Sequence, residues 1–334
     1  MVRALSADGG VTSIVGVARR LPGWRIDRTE WRQADVATGD LARIFEGADA
    51  VVHLAWLFQP TRDPAVTWRA NVLGSMRVFR AAAEAGVSAL IHASSVGAYS
   101  PGPKDRPVDE SWPTHGWPGA AYGREKAYVE RVLDVFEHDH SNIRVVRMRP
   151  GFIFQRAAAT EQRRLFAGPF VPRRLLRTGR IPFVPDIPGL RLQVLHADDA
   201  AEAYRLAVTK QVRGAFNLAA EPVLDAHDLA KLLGARTVPV PQGLARAAVA
   251  AGWHLRLVPA APGLLDLALR IPVMRVDRAR EVLGWTPRRS SQETVRELIE
   301  GLHDGAGMDT PPLAPDAGPV ERVREFATGM GGRP

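Results

Sequence analysis

Three side chains in one stretch of this chain have the types and spacing for proton transfer. Tyr122 and Lys126 lie four positions apart in Tyr122-Gly-Arg-Glu-Lys126, which on a helix places both on one face about one turn apart. A phenol with a pKa of about 10 is a weak base at neutral pH, but a neighbouring ammonium favours the phenolate and lowers that value. Tyr122 would then exchange a proton with a substrate hydroxyl. Upstream, Ser94-Ser95-Val-Gly-Ala-Tyr99 follows an apolar run, and a hydroxyl at Ser95 can hydrogen-bond a substrate carbonyl or alcohol. A lone Tyr-x-x-x-Lys arises in many amphipathic helices, so its meaning depends on the elements around it.

Those elements alternate regularly. Ser13–Ala18, Ala50–Ala55, Ala89–Ser94 and Ile143–Met148 are short apolar runs that read as buried strands. Between them, Leu41–Gly47, Trp68–Glu84 and Ala120–Asp139 carry apolar residues at helical spacing. Strand–helix alternation at this pitch implies right-handed crossovers and a doubly wound parallel sheet of α/β class. Ligands of such sheets sit at the carboxyl ends of the strands, which is where Ser95 falls. Beyond Pro150 come Pro- and Arg-rich segments, a helix over Asp198–Thr209, a strand at Ala215–Leu218 and further helices up to about His303. Asp198 and Asp199 read as the N-terminal cap of their helix.

Composition excludes several classes. With 334 residues, 46% apolar and 24% charged, the chain is that of a folded globular protein. It has no cysteine, so disulfides, thiolate nucleophiles and cysteine metal sites are ruled out. The first ten residues lack a secretory apolar core, and Gly243–Met274 is interrupted by charges and prolines, so a cytoplasmic protein without a membrane span is expected. The net charge of +8 comes from arginines spread along the chain, which argues against nucleic acid as partner. His53, His92 and His196 lack the spacing of metal ligands, and no metal is expected.

Taken in order, the motifs resemble those of the extended short-chain dehydrogenase/reductases, the NAD-dependent epimerase/dehydratase family. Ser95, Tyr122 and Lys126 match the catalytic set. Asp35-Val36 is similar to the segment that meets the adenine, and His53-Leu54-Ala55 to the strand end beneath the cofactor. Asn71, Arg149-Pro150-Gly151-Phe-Ile153, His196-Ala-Asp-Asp-Ala-Ala201, Gly214–Ala219 and Leu283-Gly-Trp-Thr-Pro287 fall in register with further family segments. The resemblance implies a Rossmann-like dinucleotide-binding domain over residues 1–150. A small substrate lobe over 151–304, interleaved with the last strands, and a flexible tail over 305–334 complete the organisation. It implies hydride transfer between NAD or NADP and a secondary alcohol or carbonyl, with a nucleotide sugar as one candidate, and a homodimer through the helices at Trp68–Glu84 and Ala120–Asp139. Arg19, Arg20, Asp35, Val36, Leu54, Ala55, Asn71, Tyr122, Lys126, Pro150 and Gly151 would then line the cofactor, and Ala18-Arg19-Arg20 favours NADP, because arginine pairs with a 2′-phosphate.

One departure stands out. The family's Gly-x-x-Gly-x-x-Gly loop, which receives the pyrophosphate at a helix start, is absent. Met1–Ala7 resembles the end of the helix after that loop, and Gly9 and Gly10 precede a strand. The reading favoured is that the sequence begins downstream of its true start. Its alternative is a non-catalytic dinucleotide-binding or interaction protein of the same fold. Trp56, Phe58 and Gln59, with Phe152 and Phe154, either line the substrate crevice or pack.

Overall fold

The structure is a computed structural model that describes residues 1–58, 62–167, 181–308 and 313. Gln59 and nearly all of the expected tail lie outside the described residues. Helix α1 (Val2–Ser6) precedes strands β1 (Ile14–Ala18) and β2 (Thr29–Gln33), and α2 (Leu41–Phe45) leads into β3 (Ala50–His53). α3 (Pro64–Trp68), a π-helical turn at Arg69–Leu73 and α4 (Gly74–Glu84) run on continuously to β4 (Ala89–Ala93). Past the short β5 (Pro107–Val108), α5 (Ala121–Asp139) crosses to β6 (Arg144–Pro150). Next come β7 (Phe152–Phe154), α6 (Ala159–Gln162), β8 (Phe183–Asp186), β9 (Val194–His196), α7 (Ala197–Thr209) and β10 (Gly214–Leu218). The chain continues through α8 (Ala226–Leu233), β11 (Arg236–Pro239), α9 (Gln242–His254), α10 (Pro262–Arg270), β12 (Val273–Met274), α11 (Asp277–Glu281) and α12 (Ser291–Asp304).

The main sheet is parallel, in the order β10-β6-β4-β3, with Ile91 opposite Val146 and His53 opposite His92. Its strands bury both faces, as the two-residue side-chain period requires of a sheet covered on both sides. Ala89 and Ile91 of β4 pack with Met148, Phe216, Tyr204 and Trp285 on one face. Leu90 packs with Phe79 of α4 and Leu133 and Phe136 of α5 on the other. This is a Rossmann-like three-layer arrangement, and α5 lies against the sheet with its first turns toward the strands' carboxyl ends.

β1 and β2 pair with each other in parallel but not with the main sheet. No strand was expected at β2, because Thr29-Glu-Trp-Arg-Gln33 has no apolar alternation. It forms beside β1 with the Trp31 ring over Gly16. The pair is joined to the rest by α1, by Val36 packed on Gly74, and by Arg77, which donates to the carbonyls of Val36 at 3.2 Å and Gly39 at 2.6 Å. Asp198 and Asp199 do not cap α7 as expected. His196 does so, its Nδ1 accepting from the Asp198 amide at 3.1 Å. The Asp199 carboxylate instead accepts from the amides of Arg288 and Arg289 at 3.0 and 3.1 Å, and its carbonyl accepts from Trp285 Nε1 at 2.9 Å. Asp199 therefore fastens the Leu283–Pro287 segment to α7.

Beneath α5 lies a buried ionic cluster. Glu130 is fully enclosed and receives Arg149 Nε at 2.9 Å and its terminal nitrogen at 3.0 Å, Arg147 at 3.1 Å and the Ser94 hydroxyl at 2.6 Å. Arg149 also donates to the Tyr99 hydroxyl at 3.0 Å, and Tyr99 donates to Asn217 of β10 at 2.6 Å. Burial would raise the Glu130 pKa, but Arg149 and Arg147 outweigh it and hold the carboxyl at about 2. Its folded pKa is thus depressed, so the stabilisation is present above the ordinary value of 4.5 and is lost as pH falls toward about 2. Arg149→Met leaves the buried Glu130 carboxylate with Arg147 and Ser94 alone and should lower unfolding free energy by up to about 3–5 kcal/mol in urea titrations at pH 7; a loss below about 1 kcal/mol would show Arg149 to be dispensable.

Candidate active site

Ser95, Tyr122 and Lys126 come together at the carboxyl end of β4. Ser95 begins the 3₁₀ turn Val96–Ala98, its hydroxyl accepting from the Gly97 amide at 3.0 Å. Tyr122 lies against this turn, close enough for the Ser95 hydroxyl to act on its phenol. Gly97 permits the approach: a Cβ there would stand 2.7 Å from Tyr122 Cε1. One turn further along α5, Lys126 is 3% exposed and donates to the Ala93 carbonyl at 2.6 Å. The same helix thus holds the phenol and the ammonium against one strand end.

The electrostatics differ from the sequence expectation. Burial pushes Tyr122 up to about 12, with the Ser95 hydroxyl acting in the opposite sense. Lys126 does not depress it, because its Nζ is turned onto Ala93, 5.9 Å from the phenol ring centroid and 3.4 Å from that of Trp56. Burial also pushes Lys126 down to about 7, against the charges of Glu130 and Glu125. Tyr122 is therefore a neutral phenol at physiological pH, a proton donor rather than a ready base.

One residue that the sequence reading passed over, Glu125, completes the site, and Asn71, expected along the cofactor, is turned onto it. Glu125, between Tyr122 and Lys126, is 3% exposed and accepts from Thr67 Oγ1 at 2.5 Å and from Asn71 Nδ2 at 2.7 Å. Asn71 clamps the backbone of Leu57, accepting from its amide at 2.6 Å and donating to its carbonyl at 3.1 Å. The flanking Trp56 and Phe58 are thereby held edge-on to the Tyr122 ring, at centroid distances of 6.0 and 4.8 Å. A buried glutamate three positions after the tyrosine was the available signal, but on an amphipathic helix it reads as a solvated charge.

The other expected cofactor residues divide. Leu54 and Ala55 are exposed at the end of β3, and Leu54 borders a cleft of about 930 Å³ beside Met1, Asp198 and Arg288. Arg19 and Arg20 are exposed after β1, while the Asp35 carboxylate accepts from the Ala37 amide at 2.9 Å and shapes its own turn. Pro150 is buried, and Gly151 lies so close to the Gln193 carbonyl that a Cβ would collide with it. Of the other residues weighed for the substrate crevice, Phe152 and Phe154 stack on each other at 6.4 Å. His53 donates to or accepts from Ser75 at 2.8 Å, and burial drives both His53 and His92 strongly toward the neutral form. Among the described residues no cluster of three or more His, Asp or Glu could hold a metal, and no helix is long and apolar enough to cross a membrane.

The family model of the NAD-dependent epimerase/dehydratases matches residues 1–219. The chain belongs to this family. It is an NAD-dependent enzyme of the oxidoreductase and epimerase/dehydratase type acting on a small molecule. The chain is 25% identical over 279 residues to the decarboxylating sterol-4-alpha-carboxylate 3-dehydrogenase of Saccharomyces cerevisiae, covering 77% of this chain and 78% of that one. It is 27% identical over 277 residues to a 4-hydroxy-2-methyl-3-oxo-4-farnesyl-3,4-dihydroquinoline-1-oxide ketoreductase of Stigmatella aurantiaca, covering 78% and 79%. The crystal structure of Thermus thermophilus UDP-glucose 4-epimerase in complex with NAD shares the fold, with a TM-score of 0.63 and 18% identity over 90% of this chain and 96% of that one.

The lowered Lys126 pKa has a measurable consequence. Between about 7 and the ordinary value of 10.5, the unfolded chain holds a proton that the folded chain does not. Stability therefore rises with pH across that window and carries the full cost of the buried ammonium below it. In urea unfolding, Lys126→Met should gain stability relative to the parent as pH falls through the window, with a constant difference beneath it. A difference independent of pH would contradict the placement of Lys126.

Proposed function

We propose that this enzyme transfers hydride between a nicotinamide cofactor and a secondary alcohol or carbonyl, with Tyr122 as the proton-transfer residue. The observation that carries this reading is the convergence of Ser95, Tyr122 and Lys126 at one strand end, with the Tyr122 ring packed on the Ser95–Gly97 turn and Lys126 one helical turn away. In the reductive direction the neutral Tyr122 phenol gives its proton to the substrate oxygen, and the Ser95 hydroxyl hydrogen-bonds the same oxygen and orients the carbonyl. When bound, the cofactor supplies the hydride to the carbonyl carbon. Trp56 and Phe58 exclude water from the phenol. Lys126 uses one N–H on Ala93 and keeps donors for ribose hydroxyls, and Leu54 and Ala55 offer an exposed strand end along which the cofactor would lie.

At the adenosine end, Arg19 and Arg20 support NADP over NAD. The similar enzymes named above act on a sterol carboxylate, a farnesylated quinoline oxide and UDP-glucose, all ring-borne alcohols or carbonyls. The alternative of a non-catalytic binding protein of this fold predicts cofactor affinity without turnover. A homodimer is supported by an apolar strip on the π-helical turn and α5, where Leu73 and Tyr128 are each 45% exposed and Val135 61%.

Tyr122→Phe should lower turnover by about 10²-fold or more, with melting temperature and cofactor Kd unchanged. Titrating parent and variant with NADPH and NADH should show tighter binding of NADPH. Turnover near the parent level would refute the role of Tyr122, and tighter NADH binding would refute the cofactor preference. Light scattering at micromolar concentration should give twice the chain mass; a monomer would leave the apolar strip unexplained by self-association.

A further inference from the structure

The surroundings of Tyr122 are apolar on both sides. On one side stand Trp56 and Phe58, and Phe58 meets Phe166 at 5.6 Å with Phe166 still 38% exposed. On the other side Tyr122 packs in a cluster with Val96, Leu267, Trp117 and Phe152. The rings of Trp56 and Phe58 are not collapsed debris of a loop, since Asn71 and Glu125 fix the intervening Leu57 backbone at both its polar groups. A wall held in this way before any ligand arrives loses little freedom on binding.

Among the described residues, the cations around this wall each have a partner already. Arg124 donates to the Pro118 carbonyl at 2.5 Å. Arg270 stacks on Trp117 at 4.3 Å and pairs with Asp266. Arg163 and Arg164, on the same helical turn as Phe166, also have partners, and Arg163 is only 2% exposed. Lys126 is turned onto Ala93 beneath Trp56. A sugar nucleotide brings a diphosphate, which needs arginine donors aimed at it. The described wall offers aromatic faces instead, and desolvating a dianion against them is unfavourable.

We propose that the wall of Trp56, Phe58 and Phe166 is the substrate-binding surface and selects a neutral alcohol or ketone carried on an apolar ring system. This deepens the reading of Tyr122 and rests on it for the position of the reacting oxygen. The apolar rings would lie against Phe58 and Phe166 while the single oxygen reaches Ser95 and Tyr122. Arg173 and Arg174, basic residues of the lobe, lie outside the described residues, and the experiment weighs them directly through a nucleotide probe.

Binding of two probes, trans-1-decalone and UDP-glucose, to the full chain is followed by calorimetry with and without NADPH. Decalone should bind, with a Kd about tenfold weaker in Phe166→Ser. Because Phe166 is partly exposed, that variant keeps its fold, and Phe58→Leu, which retains apolar bulk, should weaken binding only two- to threefold (about 0.5 kcal/mol by the usual tenfold-per-1.4 conversion). Tighter binding of UDP-glucose than of decalone, no decalone binding at about 1 mM, or a decalone Kd unmoved by Phe166→Ser would each overturn the proposal. None of these outcomes touches the acid/base assignment, which turns on the turnover of Tyr122→Phe.

Discussion

Glu130 is the buried anion from which the geometry of the site hangs. It sits one turn beyond Lys126 on α5, yet its bonds reach β6 through Arg147 and Arg149 and the end of β4 through Ser94. Ser94 is the neighbour of Ser95. A single carboxylate thus ties the strand end that presents one hydroxyl to the helix that presents the other. A buried charge cluster of this kind is a poor source of net stability compared with apolar packing. Its value here is positional, because α5 cannot slide or rotate without leaving a charge unpaired.

The same carboxylate enters the chemistry through charge. Burial drives Lys126 toward neutrality, and Glu130 and Glu125 pull it partly back, leaving it close to physiological pH. Tyr122 has no such counterweight and remains a phenol. Fold and reactivity are therefore set by one group of buried side chains along α5. Glu125 turns outward to Asn71 and the aromatic wall, while Glu130 turns inward to the sheet.

Much of this was legible from residue types and order. The alternation of strands and helices, the position of Ser95 at a strand end and the one-turn spacing of Tyr122 and Lys126 follow from periodicity, and family resemblance supplied their joint meaning. What escaped was decided by burial. Glu125 and Glu130 look like the solvent side of an amphipathic helix until the elements packed on them are known. The Tyr122 shift runs opposite to the expectation because a Lys at the right spacing can still direct its ammonium to a carbonyl. Asp198 and Asp199 look like caps, but His196 takes that place and Asp199 binds a segment some 90 positions later. β2 was invisible because its partner, not its own pattern, makes it a strand.

The main sheet has a mechanical meaning. Between β10 and β3 the strands share a continuous hydrogen-bond ladder, so a displacement of one is transmitted to the next. Core strands of this kind open only at high free energy. Ser95 at the end of β4 and the arginines of β6 that grip Glu130 are thus parts of one stiff frame. The reacting hydroxyl keeps its place through that frame, whatever the loops around it do.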